Sequence, residues 1–336
     1  MTEIRQRPTL EEVAALAGTS RATASRVVNQ SSKVSPRARA AVERAIEELG
    51  YAPNRAARSL VTRRSDSIGL VVTESEERVF GEPFFASLIR GVSDALAGTD
   101  IQLVLLLNRS DREHSRVKRF LTTHVDGVLL VSAHADEPLL DQLTAGSIPA
   151  VLAGRPLRPT ALPFVDVDNL GGAQEAVRHL VDRGRRRIAT IAGPQDMAAG
   201  IDRLEGYRRV LADAPDHGES LVAFGDFSAA SGGRCARELL ARHPDIDAIF
   251  TASDPMAVGA IEALHQLGRR VPEDVAVVGF DDSVVAMTTR PQLTTVHQPI
   301  GDLGRQMILR LREALDGSSV PNATVLPTHL VVRGSS

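Results

Sequence analysis

The clearest chemistry in this sequence sits in one short run. After Ser20 come Arg21, Ala22, Ser25, Arg26 and Asn29, which helical spacing places on one exposed face while Ala24, Val27 and Val28 turn inward. An arginine can make a bidentate contact to a guanine edge, a serine reads less strictly, and an alanine leaves room or touches a thymine methyl. Such a set, on a helix entered from a short turn, suits base reading in a major groove. Patterns that would carry catalysis are missing: there is no His-Glu-x-x-His, no Gly-x-x-x-x-Gly-Lys-Ser/Thr and no Gly-x-Ser-x-Gly, and the nine histidines are scattered. The single cysteine, Cys235, excludes an internal disulfide and a cysteine-based zinc site, and fits a reducing compartment. No catalytic residue, metal or cofactor is expected.

The elements that must position this face are short helices. Thr9 and Glu12 form a capping-box pair ahead of Val13, Ala14, Leu16 and Ala17, and Gly18 ends that helix. Ser20 can cap the next helix after a turn of about three residues, as in a helix-turn-helix. Ser35, followed by Pro36, starts a third. Its apolar positions Ala38, Val42, Ala45, Ile46 and Leu49 keep a helical period until Gly50 stops it. Charge divides the chain the same way. Residues 1–64 hold 12 basic and 6 acidic side chains, and the other 272 hold 27 and 36, although the whole chain is only −3. A basic head on an acidic body predicts that the head alone meets a polyanion.

The 336 residues suggest about two domains. From Ser67 onward, apolar runs (Ile68–Val72, Ile101–Leu107, Val128–Val131, Ala150–Ala153, Ile188–Ile191, Leu221–Phe224, Ala248–Thr251 and Val275–Val278) alternate with amphipathic segments at 84–97, 171–182, 201–212, 229–242 and 255–267. Buried strands alternating with helices predict parallel sheets covered on both faces. The body is long for one doubly wound sheet, so two α/β lobes are expected, with a ligand cleft between them at the strand ends. Pro321 to Thr324 reads as a linker before a last strand, and the basic cluster Arg183–Arg187 as a solvated turn. No apolar run approaches the roughly 18 residues of a membrane span. Met1 to Pro8 shows no secretory signal, so a cytoplasmic protein is expected.

The run from Thr9 to Asn29, continued by Val34-Ser35-Pro36 and by Glu48 to Asn54, resembles the headpiece of the LacI/GalR repressors. The resemblance implies a helix-turn-helix domain over 1–52 in which Arg21 and Ala22 choose operator bases. Ser25 and Arg26 add base or phosphate contacts, and Thr23, Asn29 and Lys33 bind backbone. Thr9, Ser20 and Asn54 complete the set assigned to DNA. Ala24 stands where the family usually has valine, a core position. Pro53 to Leu60 resembles the family's hinge helix, within a hinge and linker over 53–66. About seven residues cannot hold a helix alone in water, so this segment is expected to fold on DNA. There Leu60 would wedge between central base pairs, Ala57 allow close helix approach and Arg58 follow the backbone.

The body also resembles the family's core, which is like a periplasmic sugar-binding protein. The matching stretches are Val165–Asn169 with Gly171-Gly172, Arg203–Tyr207, Thr251–Gly259, Val278–Asp282 and Leu293–Gln298. This implies an effector-binding and dimerisation core over 67–336. One lobe would span about 67–167 and 300–325, the other about 168–297 and 326–336. Matched positions assign Arg203, Phe227, Ser253, Asp254, Asp281 and Gln298 to the effector cleft, with Phe84 and Phe85 at its lip. A guanidinium such as Arg203 can donate two parallel hydrogen bonds, Asp281 after an apolar strand can accept from two hydroxyls, and Phe227 suits stacking on a sugar face. Asp254, before Pro255, also fits a helix cap. Thr73–Phe85 and Arg58–Arg64 are most like actinobacterial regulators that respond to cellobiose and cello-oligosaccharides.

The expected function is therefore a dimeric, sequence-specific repressor controlled by a small sugar, cellobiose or a related β-glucoside. Its operator would be an inverted repeat with a central C-G step. A chain ending at Ser336 without leucine heptads favours a dimer. The alternatives are another sugar or a nucleoside as effector, and a corepressor rather than an inducer. A sugar-binding transport protein would need an export signal and no basic head. An α/β enzyme would need a nucleophile, base and oxyanion set.

Overall fold

The computed structural model describes residues 8–28, 31, 33–51, 64–108, 111–212 and 218–336. The chain divides into two compact units, Met1–Ser65 and Asp66–Ser336. The first contains α1 (Leu10–Leu16), α2 (Arg21–Val28) and α3 (Pro36–Leu49). Val13, Ala14, Ala24, Val27, Val42 and Ala45 form its small core. Each helix has a capped start. Thr9 Oγ1 accepts from the Glu12 amide and the Glu12 carboxylate accepts in return from the Thr9 amide. Ser20 Oγ accepts from the Thr23 amide, and Ser35 Oγ from the Ala38 amide. Gly50 closes α3 with φ +62°, a left-handed position that glycine takes without strain.

The second unit holds two six-stranded sheets. Its chain order begins β1 (Ser67–Val72), α4 (Glu76–Gly81), α5 (Pro83–Leu96), β2 (Gln102–Leu107), α6 (Asp111–His124), β3 (Gly127–Val131), α7 (Pro138–Ala145), β4 (Ala150–Ala153) and β5 (Phe164–Val167). It continues through α8 (Asn169–Asp182), β6 (Ile188–Ala192), α9 (Ala198–Val210), β7 (Val222–Phe224), α10 (Ala229–Arg242), β8 (Ala248–Thr251), α11 (Asp254–Gln266), β9 (Ala276–Asp281) and β10 (Thr294–His297). Last come α12 (Ile300–Leu315), β11 (Ala323–Leu326) and β12 (His329–Val331).

The sheet orders are β11-β5-β4-β3-β1-β2 and β12-β10-β9-β8-β6-β7. Every pairing is parallel except that of β12 with β10. The fully buried runs Val128–Val131 and Val275–Val278 show why these strands are continuous apolar stretches: helices cover both faces. The chain passes between lobes three times, after β5, after β10 and after β11. Helix α12 crosses α5 so closely that a Cβ on Gly91 would lie 2.0 Å from the Gly301 carbonyl oxygen. Among the described residues no helix is long and apolar enough to cross a membrane, and no cluster of His, Cys, Asp and Glu could hold a metal ion.

Two local expectations are corrected. Pro321–Thr324 is not a simple linker, because Ala323 and Thr324 open β11, which adds to β5 at the edge of the first sheet. That strand alternates in exposure and has only four residues, so it lacks the apolar run that marks a buried strand. The strand expected to end at Val278 continues to Asp281, because Gly279, Phe280 and Asp281 pair with Thr295, Val296 and His297.

Candidate effector cavity and nucleic-acid interface

The exposed side of α2 carries Arg21, Ala22 and Arg26. Arg21 Nε lies 2.5 Å from the Glu11 carboxylate, an exposed pair that DNA phosphates or a base edge would have to displace. Ser25 is half-buried rather than exposed, which leaves it less reach than its neighbours. The Thr9 and Ser20 side chains act as caps, and the Thr23 hydroxyl lies 3.0 Å from Ser20 Oγ. Lys33 is exposed ahead of α3. Asn29, Asn54, Ala57, Arg58 and Leu60 lie outside the described residues.

Between the two lobes of the second unit is a cavity of about 1010 Å³, its open mouth included. Its polar floor comes from the ends of strands. Asp281, the last residue of β9, accepts through Oδ1 from Gln298 Nε2 at 2.5 Å and from Arg203 Nη1 at 3.5 Å. Arg203 on α9 also donates from Nε to Asn169 Oδ1 at 2.9 Å and from Nη1 to the Ala252 carbonyl at 2.6 Å. Its guanidinium lies 3.7 Å from the centre of the Phe280 ring. Asn169 in turn donates to Asp166 Oδ1 at 2.9 Å, and Asp166 Oδ2 accepts from the Arg155 amide at 2.8 Å. Rigid, mutually bonded donors and acceptors of this kind are already oriented for hydroxyl groups.

Burial sets the electrostatics. It pushes the Asp281 carboxyl up to about 6 against the opposing pull of Arg203 and Gln298. It likewise raises Asp166 against the Arg155 and Val167 amides, and lowers Arg203. Three carboxylates, Asp166, Asp281 and Glu82, line the cavity beside three arginines, Arg78, Arg155 and Arg203. Glu74 lies behind Arg78 and beside His134, and burial next to Asp281 raises Asp254, so acid and base are balanced around the cavity. The lining therefore suits a neutral polyhydroxylated ligand and not an anion.

Backbone strain gathers here too. Of the five described non-glycine residues with positive φ, Ser132, Phe227 and Asp281 line the cavity. Phe227 at φ +71° presses its ring on Gly193, where a Cβ would come within 2.4 Å of ring carbons. Ser253 Oγ donates to the Phe227 carbonyl at 3.0 Å and accepts from the Met256 amide at 3.3 Å, so the serine caps α11 while it faces the cavity.

Asp254 differs from its expected place. It does not line the cavity, and the cap of α11 is Ser253. The Asp254 carboxylate is completely enclosed and accepts from the Ser283 amide at 2.7 Å, from Ser283 Oγ at 3.1 Å and from Thr295 Oγ1 at 2.5 Å. It fastens α11 to the strand ends that carry Asp281. Phe84 is half-buried at the cavity wall, while Phe85 is 2% exposed and packs mainly into the first-lobe core.

Sequence reasoning missed Arg78, Glu82, Arg155, Asp166 and Asn169 as lining residues. Asp166 and Asn169 lay inside a matched stretch, but only the fold shows that they face Arg203. The lobes also touch each other directly. Arg155 donates from Nη2 to Asp202 at 2.8 Å, the Ala135 amide donates to the Asp196 carbonyl at 2.9 Å, and His134 Nδ1 lies 2.7 Å from Asp196 Oδ2.

A capped helix-turn-helix unit and a two-lobed α/β unit with a polar interlobe cavity define a ligand-responsive DNA-binding regulator. Comparison with known proteins makes this specific: the chain belongs to the LacI family of bacterial regulatory proteins. Residues 9–54 match the family described as bacterial regulatory proteins, lacI family, and residues 177–336 match a periplasmic binding protein-like domain. The HTH-type transcriptional regulator CelR of Thermobifida fusca is 52% identical over 99% of both chains. The ribose operon repressor of Halalkalibacterium halodurans is 36% identical over 97% of this chain and 96% of its own. A solved CelR–cellobiose complex is 50% identical with TM-score 0.78, covering 98% of this chain and all of that one. The lac repressor dimer bound to operator and the anti-inducer ONPF is 28% identical with TM-score 0.87, covering 98% and 99%.

Proposed function

We propose that this chain is a cytoplasmic, homodimeric transcriptional repressor that reads an inverted-repeat operator and is controlled by cellobiose or a closely related β-glucoside. The observation that carries the sugar reading is the Asp281–Arg203–Gln298 floor beside Phe227, an acceptor, a donor fork and an aromatic face within one cavity. Three carboxylates balanced by three arginines along the lining favour a neutral sugar over a phosphorylated one. The 52% identity to CelR, whose solved complex holds cellobiose, supports the choice of sugar. Arg21 and Ala22 are assigned to base selection, and Arg26 and Lys33 to base or phosphate contacts. Leu60 is assigned to a wedge at a central C-G step. The domain limits proposed are 1–52 for the DNA-reading head, 53–66 for the hinge and 67–336 for the effector core. The chain works by binding and not by catalysis.

The coupling is a population shift: a sugar that prefers the arrangement of the DNA-free dimer acts as an inducer, and one that prefers the bound arrangement acts as a corepressor. The test is titration of the protein on its own upstream DNA, with and without cellobiose, at two salt concentrations. Salt-sensitive binding to an inverted repeat, weakened by cellobiose, is the expected result. Binding that cellobiose leaves unchanged removes that effector, and no specific binding to any upstream fragment overturns the repressor reading.

A further inference from the structure

The cavity has a second polar pole that the floor does not use. Arg78 on α4 lies with Nη1 2.6 Å from Glu74 and with Nε and Nη2 at 2.8 and 3.3 Å from Glu82. These pairs engage three of the five N–H donors of its guanidinium. Arg78 and Glu82 both face the cavity, and Glu74 is 7% exposed behind them. The Phe227 ring is equidistant from this pole and the floor: Arg78 and Arg203 each place the guanidinium carbon 5.9 Å from its centroid. One aromatic platform thus serves two carboxylate-held arginines that are no more than about 12 Å apart.

Each pole offers the same chemistry, a fixed donor fork beside a carboxylate acceptor, which is what a pair of neighbouring sugar hydroxyls requires. A single pyranose ring occupies one pole and leaves the other to water. Two linked rings reach both, with an apolar ring face on Phe227. Arg78 lies on α4, the short helix between β1 and α5, with Glu74 just before that helix and Glu82 just after it.

We infer that Arg78 and Glu82 form a second sugar subsite that holds the outer ring of a disaccharide, so that these two residues set selectivity for a disaccharide over its monosaccharide. This inference rests on the sugar-binding reading of the cavity. At the outer ring, Arg78 donates to the hydroxyls and Glu82 accepts from them. The ligand class that follows is an uncharged disaccharide, with longer chains accepted only where the open mouth allows.

The experiment is calorimetric titration of the full chain with glucose, cellobiose and cellotriose, for the wild type, Arg78→Met, Glu82→Gln and Asp281→Asn. The wild type should prefer cellobiose to glucose by at least tenfold. Arg78→Met and Glu82→Gln should each reduce that preference fivefold or more while glucose affinity stays within twofold, and Asp281→Asn should weaken both sugars. Thermal unfolding of each variant shows whether it is folded, and Glu82→Gln, which keeps the arginine, serves if Arg78→Met is not. A wild type that binds glucose as well as cellobiose overturns the subsite and leaves the sugar site standing. Equal losses for both sugars in the Arg78 and Glu82 variants, or no loss, also overturn it. If the wild type binds none of the three sugars, the sugar reading itself fails and the subsite with it.

Discussion

Replacing Asp281 with asparagine should weaken effector binding while leaving the unliganded fold as stable as before or more so. The carboxylate is 7% exposed, and burial raises it to about 6. An acid whose folded value is raised adds stability only while it is protonated. That contribution is full below the unfolded carboxylate range and is lost as pH rises through about 6. At neutral pH the ionised group therefore costs the fold up to about 3 kcal/mol, at roughly 1.4 kcal/mol per unit. Asparagine keeps an oxygen that can accept from Gln298 and Arg203, and it carries no charge to desolvate. Arg203 retains the fields of Asp166 and Asp254. The ligand, however, exchanges a charged acceptor worth about 1.5–3 kcal/mol for a neutral one worth about 1. Affinity should fall about 2- to 30-fold. Calorimetric titration between pH 5 and 8, paired with thermal unfolding, measures both effects. Wild-type affinity should decline as pH falls through about 6, and the variant's should not. Unchanged affinity in the variant, or a melting temperature that drops in step with the loss of binding, would refute the reasoning.

Other predictions follow from the same geometry. The Glu74 carboxylate beside Nε2, and then Asp196, hold His134 up at about 9. Because this value lies above the ordinary histidine range, the interlobe contact is complete below about pH 6.5 and is lost as pH rises through about 9. Effector affinity should therefore fall about two- to fivefold from pH 7.5 to 9.5, the size of a partly exposed ion pair, with no such step in His134→Gln. Gly193→Ala places a methyl within 2.4 Å of Phe227 ring atoms and must move the aromatic platform, so cellobiose affinity should drop about tenfold, with a melting temperature lowered by about 2–8 °C for an overpacking cost of about 1–3 kcal/mol. A variant that binds as well as the wild type would show that Phe227 does not touch the sugar. Arg21→Ala should cost about 1–3 kcal/mol on the operator and relax selection at one base position, measured by anisotropy on an operator series substituted at each position. A uniform loss across the series would make Arg21 a phosphate contact instead.

The head was legible because each of its devices is local. The Thr9–Glu12 box, the Ser35-Pro36 start and the Gly50 stop act within four residues, and the structure makes those bonds. The alternation of apolar runs and amphipathic segments likewise announced two parallel sheets, since helices on both faces force continuous apolar strands. The half-exposed strand β11 escaped notice because an edge strand of four residues leaves no periodic signal. In the site, Arg203, Asp281 and Gln298 could be named from their stretches, but which residues bond to which could not. The Arg203–Asn169 and Asp281–Gln298 bonds join residues 34 and 17 positions apart across different elements. Asp254 was misplaced for a related reason. An aspartate after a strand and before a proline has the same local pattern whether it caps a helix, meets a ligand or, as here, holds Ser283 and Thr295.

Direct contacts between the lobes limit how a sugar can act as a signal. Arg155–Asp202, His134–Asp196 and the Ala135 amide all favour this arrangement. A ligand shifts the population only by its differential affinity for the two lobe arrangements, however tightly it binds overall. Asp281, Arg203 and Asn169 belong to the second lobe and travel together, so they alone supply little of that difference. The differential must come from groups on the first lobe, whose charged cavity residues are Arg155 and Asp166 near the floor and Arg78 and Glu82 at the other pole. A sugar that touches only the second-lobe residues would bind in either arrangement and signal weakly. One long enough to reach α4 ties the lobes together at the other pole as well, which makes ligand length, through Arg78 and Glu82, a property that the regulator converts into a change on DNA.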